Sequence, residues 1–197
     1  TAPDPDAPSF DGSLLVTAPT PTWPATFPGT SLPYGIALGF SPSTFNQFLA
    51  ENTKAGLLRL SLTELDVGGT LLPINSTILS AFLPAFGSLP PLTPLEVRIA
   101  PSLAPIVTDS EGPDGEVATL YLAQLRIEIV QPNAGDAVRL SAAVDMELGL
   151  SLEAGDTGLD IQIGAPVAES IDVTLLSNPL FVAPSEVDAL LPYMLEL

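Results

Sequence analysis

The chain has no cysteine and no histidine among its 197 residues. The first absence removes disulfides, thiolate metal sites and the cysteine nucleophile, and it leaves the redox compartment unmarked. The second removes the usual near-neutral general base and, with the first, most zinc sites. Cations are scarce too. Five Lys and Arg stand against 23 Asp and Glu, for a net charge of -18 at pH 7. Lys54, Arg59, Arg98, Arg126 and Arg139 are scattered along the sequence without a basic run. Counterion-release binding to DNA or RNA needs clustered cations, and a field of this sign repels nucleic acid and anionic membrane surfaces. No uninterrupted apolar run approaches the roughly 18 to 20 residues that span a bilayer as a helix. Thr1 to Asp11 carry neither a basic start nor an apolar stretch, so any secretion signal is expected to be already removed. The start without Met points to a processed product or a piece of a longer chain.

What is present suits one domain. Hydrophobic residues make up 46% and charged residues 14% of the sequence, enough for a real core and too apolar for disorder. Residues 1 to 33 hold a dense run of prolines, including Pro3, Pro5, Pro8, Pro19, Pro21, Pro24, Pro28 and Pro33. Proline removes a donor and favours extended geometry, so this segment reads as a linker or extended arm. Residues 34 to 197 read as the folded domain.

Strands are the most informative part of that domain. From Ala137 to Glu153, Val138, Leu140, Ala142, Val144, Met146, Leu148, Leu150 and Leu152 alternate with Arg139, Ser141, Ala143, Asp145, Glu147, Gly149, Ser151 and Glu153. This period of two predicts one apolar and one wet face on a strand roughly 50 Å long. The stretch Glu116 to Gln131 predicts another long strand, with Val117, Thr119, Tyr121, Ala123, Leu125, Ile127 and Ile129 on one face. Shorter alternations occur at Leu58–Leu62, Leu95–Ile99, Leu159–Ile163 and Ile171–Leu175, with turn residues between them. A large, twisted antiparallel meander is the simplest topology.

Three helices are predicted. Ser41 with Pro42 opens one running to about Lys54, with Phe45, Phe48 and Leu49 on one side. Asn75 or Ser76 opens a second carrying Ile78, Leu79, Phe82, Leu83 and Phe86, bent or shortened by Pro84 and ended by Gly87. Ser185 opens a third, with Glu186 and Asp188 in its first turn and Val187, Leu190, Leu191, Met194 and Leu195 as its stripe.

Several polar groups invite a chemical reading and have plain alternatives. Lys54, near a helix end, is a solvated cation more readily than half of a Ser-Lys dyad. Asp145 and Glu147 share a strand face about 7 Å apart, near a glycosidase-like separation, yet a wet face carries such residues anyway. The loop Asp109 to Glu116 alternates oxygen donors and glycines that a hard cation could use, but without the spacing of the helix-loop-helix calcium motif. Asn75-Ser76-Thr77 fits the glycosylation pattern and equally fits a helix cap. Neither a catalytic residue nor a metal site is assigned.

The order of elements and several strings resemble the C-terminal half of the bactericidal/permeability-increasing, lipopolysaccharide-binding and cholesteryl-ester-transfer protein family, the tubular lipid-binding superfamily. Pro28 to Pro33 lead into Tyr34-Gly35-Ile36-Ala37-Leu38, then Phe45-Asn46-Gln47-Phe48-Leu49, then Ala55-Gly56-Leu57-Leu58-Arg59-Leu60. Ala81-Phe82-Leu83-Pro84-Ala85-Phe86 and Leu95-Glu96-Val97-Arg98-Ile99 follow in the family's order. The resemblance covers about Pro24 to Leu197. It departs from the family in ending with a helix and in lacking the basic surface of endotoxin-binding members.

This resemblance implies an α+β fold in which a long, strongly curved antiparallel sheet wraps around a long helix, with two shorter helices, as a half-barrel. It implies a secreted, periplasmic or extracellular chain, with a second tubular lipid-binding domain in the same longer protein. It also implies an apolar groove that takes acyl chains or a sterol without chemistry or cofactor. Phe45, Phe48, Leu49, Leu190, Leu191 and Met194 are the expected lipid-binding positions. Expected partners are a lipid and a membrane or protein surface, not nucleic acid. The alternative is a structural or protein-interaction module of the same fold with a solidly packed core.

Overall fold

The computed structural model describes residues 25–26, 31–33, 41–67, 70–155, 158–166, 168–183 and 186–187. Most of the proline-rich arm lies outside them; Thr26 and Pro33 form an isolated antiparallel bridge. Helix α1 spans Pro42–Lys54, and strands follow at Leu60–Leu62 (β1), Glu64–Val67 (β2) and Thr70–Pro73 (β3). A short helix α2, Ser76–Leu79, and a 3-10 turn, Pro84–Ser88, lead into β4, Glu96–Pro101, and β5, Ile106–Thr108. The long strands are β6, Ala118–Gln131, and β7, Ala137–Gly155, followed by β8, Gly158–Pro166, and β9, Asp172–Ser177.

The main sheet has seven strands and is antiparallel throughout. On one edge β6 pairs with β4 and β5 end to end, and β1 pairs with the outside of β4. On the other edge β6 runs along β7, whose far side holds β9 and β8 end to end. β2 and β3 form a separate hairpin. The long sheet curls into an antiparallel half-barrel, as the twist of 14- and 19-residue strands requires. Among the described residues no helix is longer than the 13 residues of α1. Glu186 and Val187 are helical and Val187 is buried; the rest of the expected last helix, including Leu190, Leu191 and Met194, lies outside the described residues.

β6 does not keep the single alternation that its sequence predicts. The register runs Leu120 opposite Leu148 and Leu122 opposite Met146, then skips to Leu125 opposite Val144. One extra residue enters β6 as a bulge, so the core face is Ala118, Leu120 and Leu122 before it and Leu125, Ile127 and Ile129 after it. Val117, expected inside, is 61% exposed. Gln124 sits in the bulge at φ 56. Its N–H donates to Asp145 Oδ1 at 2.6 Å, and its carbonyl accepts from the Ser102 N–H at 2.9 Å. Asp145 is thereby committed to holding a register.

The outer face of β7 is less wet than its alternation suggests, because Ser141 and Ala143 are buried. They are small residues of a central strand, aligned with the longer Glu128 and Arg126 of β6. Likewise the Glu116 carboxylate lies over Gly149 and Gly164, where a Cβ would run into it.

α1 begins at Ser41, whose Oγ accepts from the Thr44 N–H at 3.3 Å. α2 begins at Asn75 and stops after one turn, and Pro84 restarts the chain as a 3-10 turn instead of continuing a helix; proline has no N–H for the helical bond and clashes with the preceding turn. Leu79, Leu83 and Phe86 nonetheless enter the core at 0–2% exposure, while Phe82, expected beside them, stays partly in solvent.

α1 is docked by an amide rather than by grease alone. Asn46, fully buried, donates from Nδ2 to the Val107 carbonyl at 3.1 Å and accepts at Oδ1 from the Val107 N–H at 2.6 Å. The side chain thus acts as one residue of a neighbouring strand along the edge of β5 that faces away from β6. Replacing it leaves two buried backbone groups unpaired, each costing about 1–3 kcal/mol. Asn46→Leu is therefore expected to lower unfolding free energy by about 3 kcal/mol, read as a fall in the urea midpoint. Asn46→Asp, which cannot donate to Val107 when ionised, is expected to recover part of the loss only at acid pH.

Candidate functional site

The two faces of the sheet offer different chemistry. On the core side, Val97, Leu120, Leu125, Ile127, Ile129, Leu140, Val144, Met146, Leu148 and Leu150 pack with Leu79, Leu83, Phe86, Val182 and Val187. This cluster lies over the middle columns of the sheet. Toward both margins the apolar lining continues without full cover. On β1, Leu60 lies opposite Ile99 and is 48% exposed. On β8, Ile163 lies opposite the buried Leu150, and Ile161 follows two residues along the same face; they are 60% and 55% exposed. Wet side chains on a core-facing row mean that the concave face is longer than the protein described above it.

Of the expected lipid-binding positions, Phe45 and Leu49 pack, half-buried, against the core cluster. Phe48 stands 65% exposed. The most buried row of α1 is instead Asn46, Ala50 and Thr53. Leu190, Leu191 and Met194 are outside the described residues.

The outer face carries a concavity of about 560 Å³ crossing β1, β4 and β6, lined by Arg59, Ser61, Arg98, Ser102, Arg126 and Glu128 among others. Three arginines scattered in sequence are thus neighbours in the fold. They make no basic patch, because acids are interleaved. Arg98 forks onto Glu96, Nε to Oε1 at 2.8 Å and Nη2 to Oε2 at 3.0 Å, and Nη2 reaches Asp136 Oδ1 at 3.1 Å. Arg126 meets Glu128 at 2.8 Å. Ser61 donates to the Glu96 carboxylate.

Elsewhere, polar groups have structural partners. Lys54 pairs with Glu51 at 2.9 Å. Asn75 Oδ1 accepts from the Ile78 N–H at 3.0 Å while Nδ2 donates to the Pro73 carbonyl, so the sequon asparagine is a nearly buried cap. The Asp109–Glu116 loop closes on itself: Glu116 accepts from the Asp114 N–H through its carboxylate and from the Gly112 N–H through its carbonyl. Among the described residues no three metal-ligating side chains converge, and no helix is long and apolar enough to cross a membrane.

No protein-family profile matches the sequence, and a search of curated proteins returns no match. Among solved structures, the crystal structure of lipopolysaccharide binding protein aligns with a TM-score of 0.51 at 18% identity, covering 92% of this chain and 37% of that one. The likeness establishes a fold of the bactericidal/permeability-increasing type. The chain spans little more than a third of that neighbour's length.

The Glu96 carboxyl titrates below the usual carboxylate range because Arg98, first, and Ser61, second, hydrogen-bond to its charged form. A depressed folded value means stability that is present above the unfolded carboxylate value and lost as pH falls through the folded one. Glu96→Gln is expected to be less stable than the native chain at neutral pH, with the gap closing as pH falls through and below the ordinary glutamate value of about 4.3. Denaturant midpoints measured across that range give the comparison.

Proposed function

We propose that this chain binds the apolar part of a lipid, an acyl chain or a sterol, on the concave face of its curled sheet, without chemistry. The observation that carries the reading is the exposure of Ile161 and Ile163 on the row that faces the core. An antiparallel sheet normally turns such residues into packed protein. Covering each with an acyl chain is worth about 1 kcal/mol. Phe45, Phe48 and Leu49, with Leu190, Leu191 and Met194, are proposed as further lining.

The fold of the solved neighbour supports the same reading. That neighbour is named for binding lipopolysaccharide. Here the net charge is -18 and the outer arginines alternate with Glu96, Glu128 and Asp136, which favours a neutral or zwitterionic lipid. A structural module of the same fold is the second reading, and it draws on the tight middle of the core, where Leu83, Phe86 and Val144 have no exposure.

Native mass spectrometry of gently purified protein, with lipid extraction, separates the two readings. A co-purifying lipid, or uptake of a fluorescent fatty acid or sterol from solution, is expected. A clean apo mass without uptake would favour the structural module. Ile161→Asp with Ile163→Asp is expected to weaken uptake about tenfold or more while leaving the melting temperature nearly unchanged, since both positions are already wet.

A further inference from the structure

Two residues of the chain are built in a way that ordinary packing does not require. Phe181 has φ 56 and is 89% exposed; Leu92 has φ 58 and is 68% exposed. Bulky side chains are uncommon in this left-handed region, where Gly, Asn and Asp are the usual occupants. Each is held there by its surroundings. Asn178 Nδ2 donates to the Val182 carbonyl and Asn178 Oδ1 accepts from the Val182 N–H, both at 2.8 Å, and the Phe181 N–H donates to the Asn178 carbonyl. Leu180 packs on the core and Val182 is buried in it, so the loop is pinned on both sides of Phe181. The Leu92 N–H donates to Thr77 Oγ1 at 3.0 Å, while Ser76 and Thr93 both donate to the Pro90 carbonyl. The fold spends backbone strain to keep two large apolar groups in water.

The two loops share one end of the sheet. β4 starts there, β6 stops, β7 starts and β9 stops. Leu92 precedes Glu96 by four residues and Phe181 follows Ser177 by four. The strands they adjoin, β4 and β9, are separated by β6 and β7, three spacings or roughly 14 Å across the sheet.

The two loop segments carry no charge of their own, although Glu96, Arg98, Asp136 and Arg139 stand on or beside the strand starts at this end. Residues 67–95 and 173–185 contain no Asp, Glu, Lys or Arg in a chain whose net charge is -18. Phe82, 39% exposed, belongs to the same uncharged stretch. Of the bordering acids, Asp136 is paired with Arg98, and Glu186 accepts from the Ala183 N–H.

We infer that this end of the sheet seats on the surface of a neutral, zwitterionic lipid layer, with Phe181 and Leu92 inserted among the acyl chains. The inference rests on the lipid-binding reading, to which it adds the surface from which lipid is taken or to which it is given. Charge selects the occupant: apolar side chains enter a hydrocarbon boundary freely, whereas the acidic remainder must stay in water and is repelled by anionic headgroups.

The test is flotation of the full chain with phosphatidylcholine vesicles, with uptake of monomeric fluorescent fatty acid measured in parallel. The native chain is expected to float with phosphatidylcholine and to bind phosphatidylglycerol vesicles less. Phe181→Asp and Leu92→Asp are expected to weaken vesicle binding about tenfold each while leaving uptake unchanged. Phe181→Gly is the decisive variant: relief of the left-handed φ should raise the melting temperature while vesicle binding falls. A native chain that stays in solution, as it would if a protein were the partner, overturns the inference, as do Phe181 variants that float like the native chain. Uptake without flotation removes only this inference; flotation without uptake removes only the carrier reading.

Discussion

Everything in the half-barrel depends on the register in which β6 lies against β7. The two strands are paired over nearly their whole length, and a slip of one residue would turn each apolar row to the solvent side. The bulge at Gln124 is itself such a one-residue slip, placed where it is useful. It reverses the alternation of β6 midway, so that Leu120 on one side of the bulge and Ile127 on the other both meet the unbroken core row of β7, at Leu148 and Ala142. The charged acceptor Asp145 holds the bulge open from the partner strand. A residue that looks like half of a carboxylate pair is therefore part of the strand geometry.

The same fold uses side-chain amides as substitute backbone in two places. Asn46 pairs both polar groups of Val107, and Asn178 pairs both polar groups of Val182. An amide carries both an acceptor oxygen and a donor nitrogen, so it satisfies a peptide's N–H and C=O together at a point where no strand is available. In the first case the result is a helix fixed to a short edge strand. In the second it is a loop fixed with Phe181 held out in solvent.

Much of this architecture can be read from the residues, and the exceptions have physical causes. The start and end of α1 follow from Ser41, Pro42 and Gly56, and the length of β7 follows from an alternation that does not falter. The sheet's curl is the consequence of long one-sided strands. The alternation in β6 misleads because Ala123 and Thr119 are small enough to suit either face, so the pattern reads through the bulge. The gathering of Arg59, Arg98 and Arg126 is invisible in sequence because it depends on which strands are neighbours. The exposure of Ile161 and Ile163 is hidden for a related reason: periodicity reports which face a residue takes, not whether anything covers it. Phe181 belongs to none of the predicted strands or helices, and its φ of 56 and 89% exposure emerge only from the fold.

Charge and exposed apolar surface must be reconciled in a chain that is 46% hydrophobic and carries only five cations. A sheet with uncovered isoleucines at its margin would associate edge to edge in a neutral protein. A net charge of -18 opposes such association, and the acids that supply it are absent from the sequence stretches 67–95 and 173–185. The cost of a large negative charge is self-repulsion in the compact state, and the pairs of Arg98 with Glu96 and Asp136 and of Arg126 with Glu128 relieve it at the outer face. The acidity that argues against polyanion binding is thus also what lets an apolar lining remain open to water.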